Sequence, residues 1–246
     1  VMEVVGRGFL AGSIGVLGDR HPGATVLAAG VSSTYVTSAE DFARELDLVC
    51  EVARSCVRTG RVLVAFSTAS HAMYGATTTP AREDSPVAPV SPYGRNKLAL
   101  EQVVAESGVK WLVLRLSHVF GAGQREHQLL PSFIHQIRTG TVRLYRGVHR
   151  DVVDVADVVS VVDGLLRDGV TGEVVNVASG NPVPVERIVD GIERRMGVTA
   201  DREHVDAEPM RTVVSLEKLR SLLPCVGPIG GGDYLDAVLD RYVGCY

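Results

Sequence analysis

Five short β-rich apolar runs, each followed by a longer stretch with helical spacing, limit most sharply what this chain can become. The runs are Met2–Val5, Thr25–Ala29, Val62–Phe66, Trp111–Leu116 and Val174–Val177. Their apolar residues are continuous rather than alternating, which suits strands covered on both faces. Strand alternating with helix argues for a parallel sheet. Helical spacing predicts helices from Phe9 to about Gly18, Ser38 to Arg58, Tyr93 to Glu106, Pro131 to Arg138, Val155 to Arg167 and Pro184 to Met196. Ser38 opens its helix with Glu40 and Asp41 in the first turn, where carboxylates favour the helix dipole. Thr77–Pro92 carries four prolines and reads as a loop. Gly227–Asp233 reads as a flexible surface loop before a final helix. Residues 1–122 are expected to form an α/β core. Residues 123–246, less sheet-like, are expected to form mainly a small second lobe, with 150–180 returning to the core.

Composition removes several function classes. At 246 residues and 46% apolar, the chain can bury a large core and is not disordered. A net charge of −4 gives no electrostatic reason to expect nucleic acid as a partner. No apolar run reaches membrane-spanning length, and the first residues lack a basic and apolar leader pattern, so a cytoplasmic protein is expected. The four cysteines, Cys50, Cys56, Cys225 and Cys245, have neither metal-ligand nor disulfide-scaffold spacing, and no metal site is expected. Only three lysines accompany 22 arginines, so a lysine in a special position stands out.

Three segments carry candidate chemistry. Gly6-Arg7-Gly8-Phe9-Leu10-Ala11 closes the first run and opens a helix. Small residues there let backbone approach a pyrophosphate over a helix N-terminus, although a plain tight turn has the same look. Tyr93 and Lys97 are four apart on a helix and share a face. An ammonium beside a phenol favours the phenolate and would let tyrosine work as an acid or base, while an exposed helix pair is the plainer reading. The run Val62–Phe66 leads into Ser67-Thr68-Ala69-Ser70-His71-Ala72-Met73-Tyr74-Gly75. Hydroxyls at the carboxyl end of a parallel strand lie where open α/β sheets bind ligands, though Ser and Thr also serve turns.

Taken in order, seven segments resemble the extended short-chain dehydrogenase/reductases, particularly the NAD-dependent epimerase/dehydratase and nucleotide-sugar branch. They are Gly6–Ala11, Ala28-Ala29-Gly30, Phe66–Gly75, Tyr93-x-x-x-Lys97, Arg115–Gly121, Arg150–Val159 and Asn176–Val185, within roughly residues 1–200. The resemblance implies a Rossmann-like parallel sheet with helices on both faces and a substrate lobe. It implies NADP or NAD as cofactor, held by Gly6, Arg7, Gly8, Phe9, Leu10, Ala29, Gly30 and Lys97. It makes Tyr93 the proton donor or acceptor and Lys97 its tuner and ribose ligand, with a Ser or Thr to polarise the substrate oxygen. Counting forward from Phe66 favours Thr68 for that role, and counting back from Gly75 favours Ser70. Arg150 is nominated for a substrate phosphate, against a surface ion pair with Asp151 or Asp154. A homodimer through the Ser38–Arg58 and Tyr93–Glu106 helices is also implied.

The chain departs from that pattern in informative ways. Only twelve positions separate Gly12 from Ala24, so the second and third strands of the nucleotide-binding half are missing. With them goes the acid, about 20 residues past the glycines, that holds the adenosine ribose. Arg7 could meet a 2′-phosphate, which favours NADP. His118 stands where asparagine is usual and Asp154 where histidine is usual. His118 is either a substrate-site residue or simply packed and hydrogen-bonded. The expected activity is an NAD(P)-dependent reductase or epimerase acting on a keto-sugar nucleotide or a keto group of a secondary metabolite. The alternatives are cofactor-independent proton chemistry (dehydration, cyclisation or isomerisation) and a non-catalytic small-molecule-binding relative.

Overall fold

The structure is a computed structural model and describes residues 1–246 except 33, 35, 36, 88 and 90. Positions 88 and 90 of the expected proline-rich loop therefore lie outside the described residues. The first half contains β1 (Glu3–Val5), α1 (Phe9–Ile14) with a 3-10 turn at Gly15–Leu17, β2 (Ala24–Leu27), α2 (Ala39–Thr59), β3 (Val62–Thr68), α3 (His71–Tyr74), α4 (Pro92–Glu106), β4 (Lys110–Leu116) and β5 (His118–Phe120). The second half contains α5 (Leu129–Arg138), β6 (Thr141–Tyr145), β7 (His149–Arg150), β8 (Val152–Asp154), α6 (Val155–Arg167), β9 (Glu173–Val177), β10 (Val183–Pro184), α7 (Val185–Met196), β11 (Asp201–Val205), α8 (Glu217–Leu222) and α9 (Tyr234–Tyr242).

The five expected strands form one sheet in the order β1-β2-β3-β4-β9, every pair parallel. Successive residues alternate between two apolar layers, as a pleated strand requires. Val26, Val64, Leu112 and Leu114 meet Ile14 of α1 and Val158, Val161 and Leu165 of α6. Leu27, Leu63 and Val113 meet Val49, Val52 and Ala53 of α2 and Leu100 and Val104 of α4. Helices thus cover both faces, and each fully buried Val or Leu contributes about 1.5–3 kcal/mol. Helix α2 is the longest and begins as expected: Ser38 Oγ accepts from Asp41 N at 3.3 Å. It stops at Gly60, whose φ of +68° suits the left-handed cap.

β1 is the edge of this sheet, and no described strand lies outside it. The β1→β2 and β2→β3 connections step the same way across the sheet. Yet α1 lies on one face and α2 on the other, so the two crossovers have opposite hands. Right-handed crossovers are the strong rule, and α2 and α4 share a face and a direction of travel. The short β1-α1-β2 unit is the exception. The short gap between Gly12 and Ala24 leaves no room for strands beyond β1, so α1 turns back directly to β2.

The second half holds more β-structure than its sequence suggested. β6 pairs with β11 in parallel, β7 with β10 antiparallel and β5 with β8 in parallel. A second core gathers α5, α7, α9 and β6, including Ile134, Ile137, Ile188, Ile192 and Leu239. The Gly227–Asp233 segment is packed rather than free: Ile229 is buried, and Gly230, at φ +91°, presses its backbone against Ser179 O. Asp154 is a structural clamp for α9. It caps α6 by accepting from Ala156 N at 2.8 Å, accepts from Tyr242 Oη at 2.7 Å and pairs with Arg241.

Candidate active site

The carboxyl ends of β1, β2, β3 and β4 are one edge of the sheet, where open α/β sheets bind ligands. α4 brings the Tyr93 face to it. Ser91 Oγ accepts from Gly94 N at 3.1 Å, and Pro92 starts the helix where its missing N–H costs nothing. Gly94 lets this turn lie directly on α3, because a Cβ there would sit 1.9 Å from Ala72 O. Tyr93 is buried, and among the described residues its hydroxyl makes no hydrogen bond. The Lys97 Nζ lies 5.6 Å from the Tyr93 ring centroid.

Lys97 is not an uncompensated charge. Its Nζ donates to Glu45 Oε1 of α2 at 2.6 Å, with the two side chains only 8% and 4% exposed. Asn96 Nδ2 donates to the other carboxylate oxygen at 2.7 Å. The Lys97 ammonium is therefore paired with Glu45 rather than free beside Tyr93. Burial, and next the Glu45 carboxylate, hold the Tyr93 phenol well above the ordinary tyrosine range. Glu45 was not singled out from the sequence. Its position 45, in register with the buried Val49, Val52 and Cys56 stripe, was the available signal.

The two candidate hydroxyls are joined. Thr68 Oγ1 donates to Ser70 Oγ at 2.8 Å and accepts from Ser70 N at 3.2 Å. Ser70 Oγ also accepts from Ala72 N, capping α3. Either hydroxyl can donate to the other, so the pair shares one proton internally and keeps one for a ligand.

A buried polar chain underlies this edge, and sequence reading missed its extent. Arg115 grips Glu101 in a two-point pair, Nε to Oε1 at 2.9 Å and Nη2 to Oε2 at 2.6 Å. Ser67 Oγ donates to Glu101 as well. Arg115 Nη1 donates to Tyr74 Oη at 2.7 Å, and Tyr74 Oη donates to Asn176 Oδ1 at 2.8 Å. Glu83 of the proline-rich loop accepts from Asn176 N at 2.7 Å. Glu101 lies one turn beyond Lys97, a spacing that could have flagged it.

The Arg150 guanidinium lies close enough to both His118 and His71 to act on their rings. Burial first, then the nearby Arg150 guanidinium, pushes the His118 imidazole down to about 3. The same two causes, in that order, lower His71. Both rings are neutral near pH 7. His118 Nδ1 lies 3.2 Å from Asp151 O, so the ring proton sits on Nδ1 and Nε2 is an acceptor. Arg150 Nη1 donates to His149 O and meets Met210 Sδ, each at 3.1 Å. Asp151 is committed to Ser179 N at 2.8 Å, and burial raises its carboxyl above the usual range.

The glycine turn divides its duties. Gly6, at φ +142°, has no room for a Cβ because Ala28 O lies against it, so it serves close packing of β1 on β2. Gly8 caps α1 in extended backbone with open space where a Cβ would point, as a pyrophosphate needs. Arg7 is exposed. The Phe9 side chain packs against Gly121, and the Leu10 side chain packs between the two cores. Ala29 lines a water-sized cavity with Glu45, Ser67, Lys97 and Glu101, and Gly30 adjoins Glu45. The turn and the sheet edge therefore fit the phosphate and nicotinamide end of a dinucleotide. No described element beyond β1 offers a seat for an adenosine.

Comparison with known proteins places this geometry. The profile of the NAD dependent epimerase/dehydratase family matches residues 14–178, beginning within α1 and after the glycine turn. UDP-glucose 4-epimerase of Azospirillum brasilense is 27% identical over 215 residues, 75% of this chain and 61% of that protein. The dTDP-6-deoxy-L-talose 4-dehydrogenase (NAD(P)(+)) of Kitasatospora kifunensis is 33% identical over 138 residues, 51% of this chain and 43% of that protein. The chain thus spans less than two thirds of the length of either relative. The solved structure of RMD from Pseudomonas aeruginosa complexed with NADPH shares the fold, with a TM-score of 0.80 at 21% identity over 99% of this chain and 98% of that one. No described helix is long and apolar enough to cross a membrane. With the family profile over more than half its length and the parallel sheet beneath it, the chain belongs to the NAD dependent epimerase/dehydratase family.

Proposed function

We propose that this protein is an NAD(P)-dependent reductase or epimerase acting on a keto-sugar nucleotide, or on a keto group of a secondary metabolite. The observation that carries the reading is Tyr93, held by the tight α3–α4 packing at the carboxyl edge of the sheet with an uncommitted hydroxyl. Gly8 and the start of α1 receive the pyrophosphate, with Ala29, Gly30 and Lys97 on the ring side and exposed Arg7 favouring NADP over NAD. When bound, the dinucleotide supplies or accepts the hydride. The chain itself supplies position and proton transfer. Ser70 donates to the substrate oxygen, and Tyr93 exchanges the proton with it. Arg150 meets substrate phosphate while neutral His118 and His71 offer ring nitrogens to sugar hydroxyls. The lobe after residue 123 closes over the sugar, and two copies pair through α2 and α4.

Two observations favour a second reading, cofactor-independent proton chemistry: among the described residues the sheet ends at β1, and Glu45 already takes the hydrogen bonds of Lys97 and Asn96. Turnover of nucleoside-diphosphate 4-keto sugars by dinucleotide-stripped protein tests both. The first reading expects activity only with added NADPH or NADH, reduced about 10²–10⁴-fold in Tyr93→Phe. Unchanged turnover in Tyr93→Phe would refute the assigned chemistry. Turnover without any dinucleotide would establish the second reading.

A further inference from the structure

β5 and β8 form a ribbon of three residue pairs that stands apart from the main sheet. His118 lies opposite Val152, Val119 opposite Val153 and Phe120 opposite Asp154. The near end of the ribbon enters the candidate site: His118 N and Nδ1 meet Asp151 O at 3.0 and 3.2 Å, and Arg150 precedes Asp151. The far end, about 7 Å further along the strands, leads into Gly121 and α6. A lone pair of short strands is marginal by itself. Phe120 and Val152 pack into one core and Val153 into the other, but apolar packing is non-directional. Directional bonds must fix the ribbon along its length.

At the far end those bonds come, among the described residues, from one place. Tyr246 Oη donates to Gly121 O at 2.5 Å and accepts from Gln124 N at 2.8 Å. Gln124 Nε2 in turn donates to Val119 O at 2.9 Å. Tyr242 Oη donates to one oxygen of Asp154 at 2.7 Å, Arg241 pairs with the other, and Tyr234 Oη accepts from Asp154 N at 2.9 Å. α9 and the turn after it therefore hold β5 through Tyr246, and β8 through Tyr234, Arg241 and Tyr242. Leu235, Val238 and Leu239 already seat α9 in the second core. A carboxylate as buried as that of Asp154 is a costly way to add to that seating, since apolar replacements are often as good. Its place at the end of the ribbon points to the site instead.

We propose that α9 and the turn after it brace the far end of the β5–β8 ribbon and so set where His118 and Arg150 stand in the site, with Tyr242 and Tyr246 as positioning residues. This rests on the proposed function, which gives His118 and Arg150 a substrate to hold. Each tyrosine acts through the ribbon. When the brace is loosened the ribbon shifts along its length and the His118–Asp151 contact opens. Ser70 and Tyr93 keep their places, because α3 and α4 are packed on each other and on β3. The brace thus acts on substrate affinity and not on the chemical step.

Two adjacent amides read the ribbon directly. Ser117 N donates to Val177 O of the main sheet at 3.1 Å, whereas His118 N donates to Asp151 O beside the ribbon. Amide hydrogen exchange followed by NMR, without any ligand, therefore separates local opening from a loss of global stability. Tyr246→Phe and Tyr242→Phe should each speed exchange at His118 by about tenfold or more, with Ser117 within about twofold of wild type. Val49→Ala, on the opposite face of the sheet, weakens the whole protein and should leave the ratio of the two amides unchanged. With a keto-sugar nucleotide as substrate, KM should rise about tenfold, the worth of one charge-assisted hydrogen bond, and kcat should stay within about threefold.

An unchanged His118-to-Ser117 ratio in the tyrosine variants overturns the proposal. Opening at His118 with KM unmoved, or with kcat falling in place of a rise in KM, overturns it as well. Either tyrosine variant carries the test should the other fail to fold. Turnover separates this inference from its foundation. Separated amides with no keto substrate turned over leave the brace in place and remove the proposed function. Dinucleotide-dependent turnover with an unchanged amide ratio does the reverse.

Discussion

Adding one methyl group at Gly94 tests how tightly the first turn of α4 is set. The new Cβ would stand 1.9 Å from Ala72 O, whereas real Cβ atoms essentially never come within 3.0 Å of such an atom. α3 and α4 must separate by about 1 Å, because the obstacle is backbone in a turn whose Ala72, Met73 and Tyr74 are all buried. Overpacking of this kind costs about 1–3 kcal/mol. At roughly 2–4 °C per kcal/mol for a chain of this size, Tm should fall by about 2–12 °C. Tyr93 is the adjacent residue, and a 1 Å misplacement of a reacting group costs on the order of 10²-fold in rate. Gly12→Ala is the control: it lies within α1 with nothing within 4 Å of its Cβ, so it should stabilise by about 0.5–1 kcal/mol. Thermal unfolding by circular dichroism, paired with turnover, reads both effects. A Gly94→Ala protein that melts within about one degree of wild type and keeps its rate would refute the packing argument.

Three further outcomes follow from named contacts. Glu101→Gln leaves Arg115 buried without its carboxylate and should cost about 3–5 kcal/mol in urea unfolding, whereas loss of a solvated surface pair would cost under about 1 kcal/mol. His118 is neutral when folded and protonates below about pH 6.5 when unfolded, so stability should fall as pH drops from there towards about 3. In His118→Asn that acid limb should flatten, and an unchanged limb would locate the sensitive group elsewhere. Ser70→Ala should reduce turnover by about 10²-fold and Thr68→Val by much less, as the assignment of Ser70 to the substrate oxygen requires. The reverse order would exchange their roles.

The central sheet was legible because its strands are continuous apolar runs buried on both faces, a pattern that survives without any knowledge of partners. The missing strands were legible from a spacing alone, the short gap between Gly12 and Ala24. β6 was not. Its Val142 and Leu144 are buried while Thr141, Arg143 and Tyr145 are exposed, an alternation only five residues long. β7 and β10 are two residues each and owe their existence to pairing across the chain. Tyr93, Lys97 and the two hydroxyls could be named from order and spacing. Glu45 could not be assigned its role, because its partners lie 51 and 52 positions away. The packing of the Phe9 and Leu10 side chains could not be read either, because motif spacing does not say which way a side chain turns. The role of Asp154 was hidden for a related reason: its partners on α9 arrive from more than 80 residues downstream.

Whether a sheet that ends at β1 still holds a dinucleotide is decided most directly by calorimetry. Stripped protein is titrated with NADPH, NADP⁺, NADH and NAD⁺, alone and with a nucleoside-diphosphate sugar present. Saturable binding of one redox pair is the predicted result, with NADPH favoured and the preference lost in Arg7→Ala. Absence of binding to all four, with and without the sugar nucleotide, would contradict it and leave Tyr93 to proton chemistry without a cofactor.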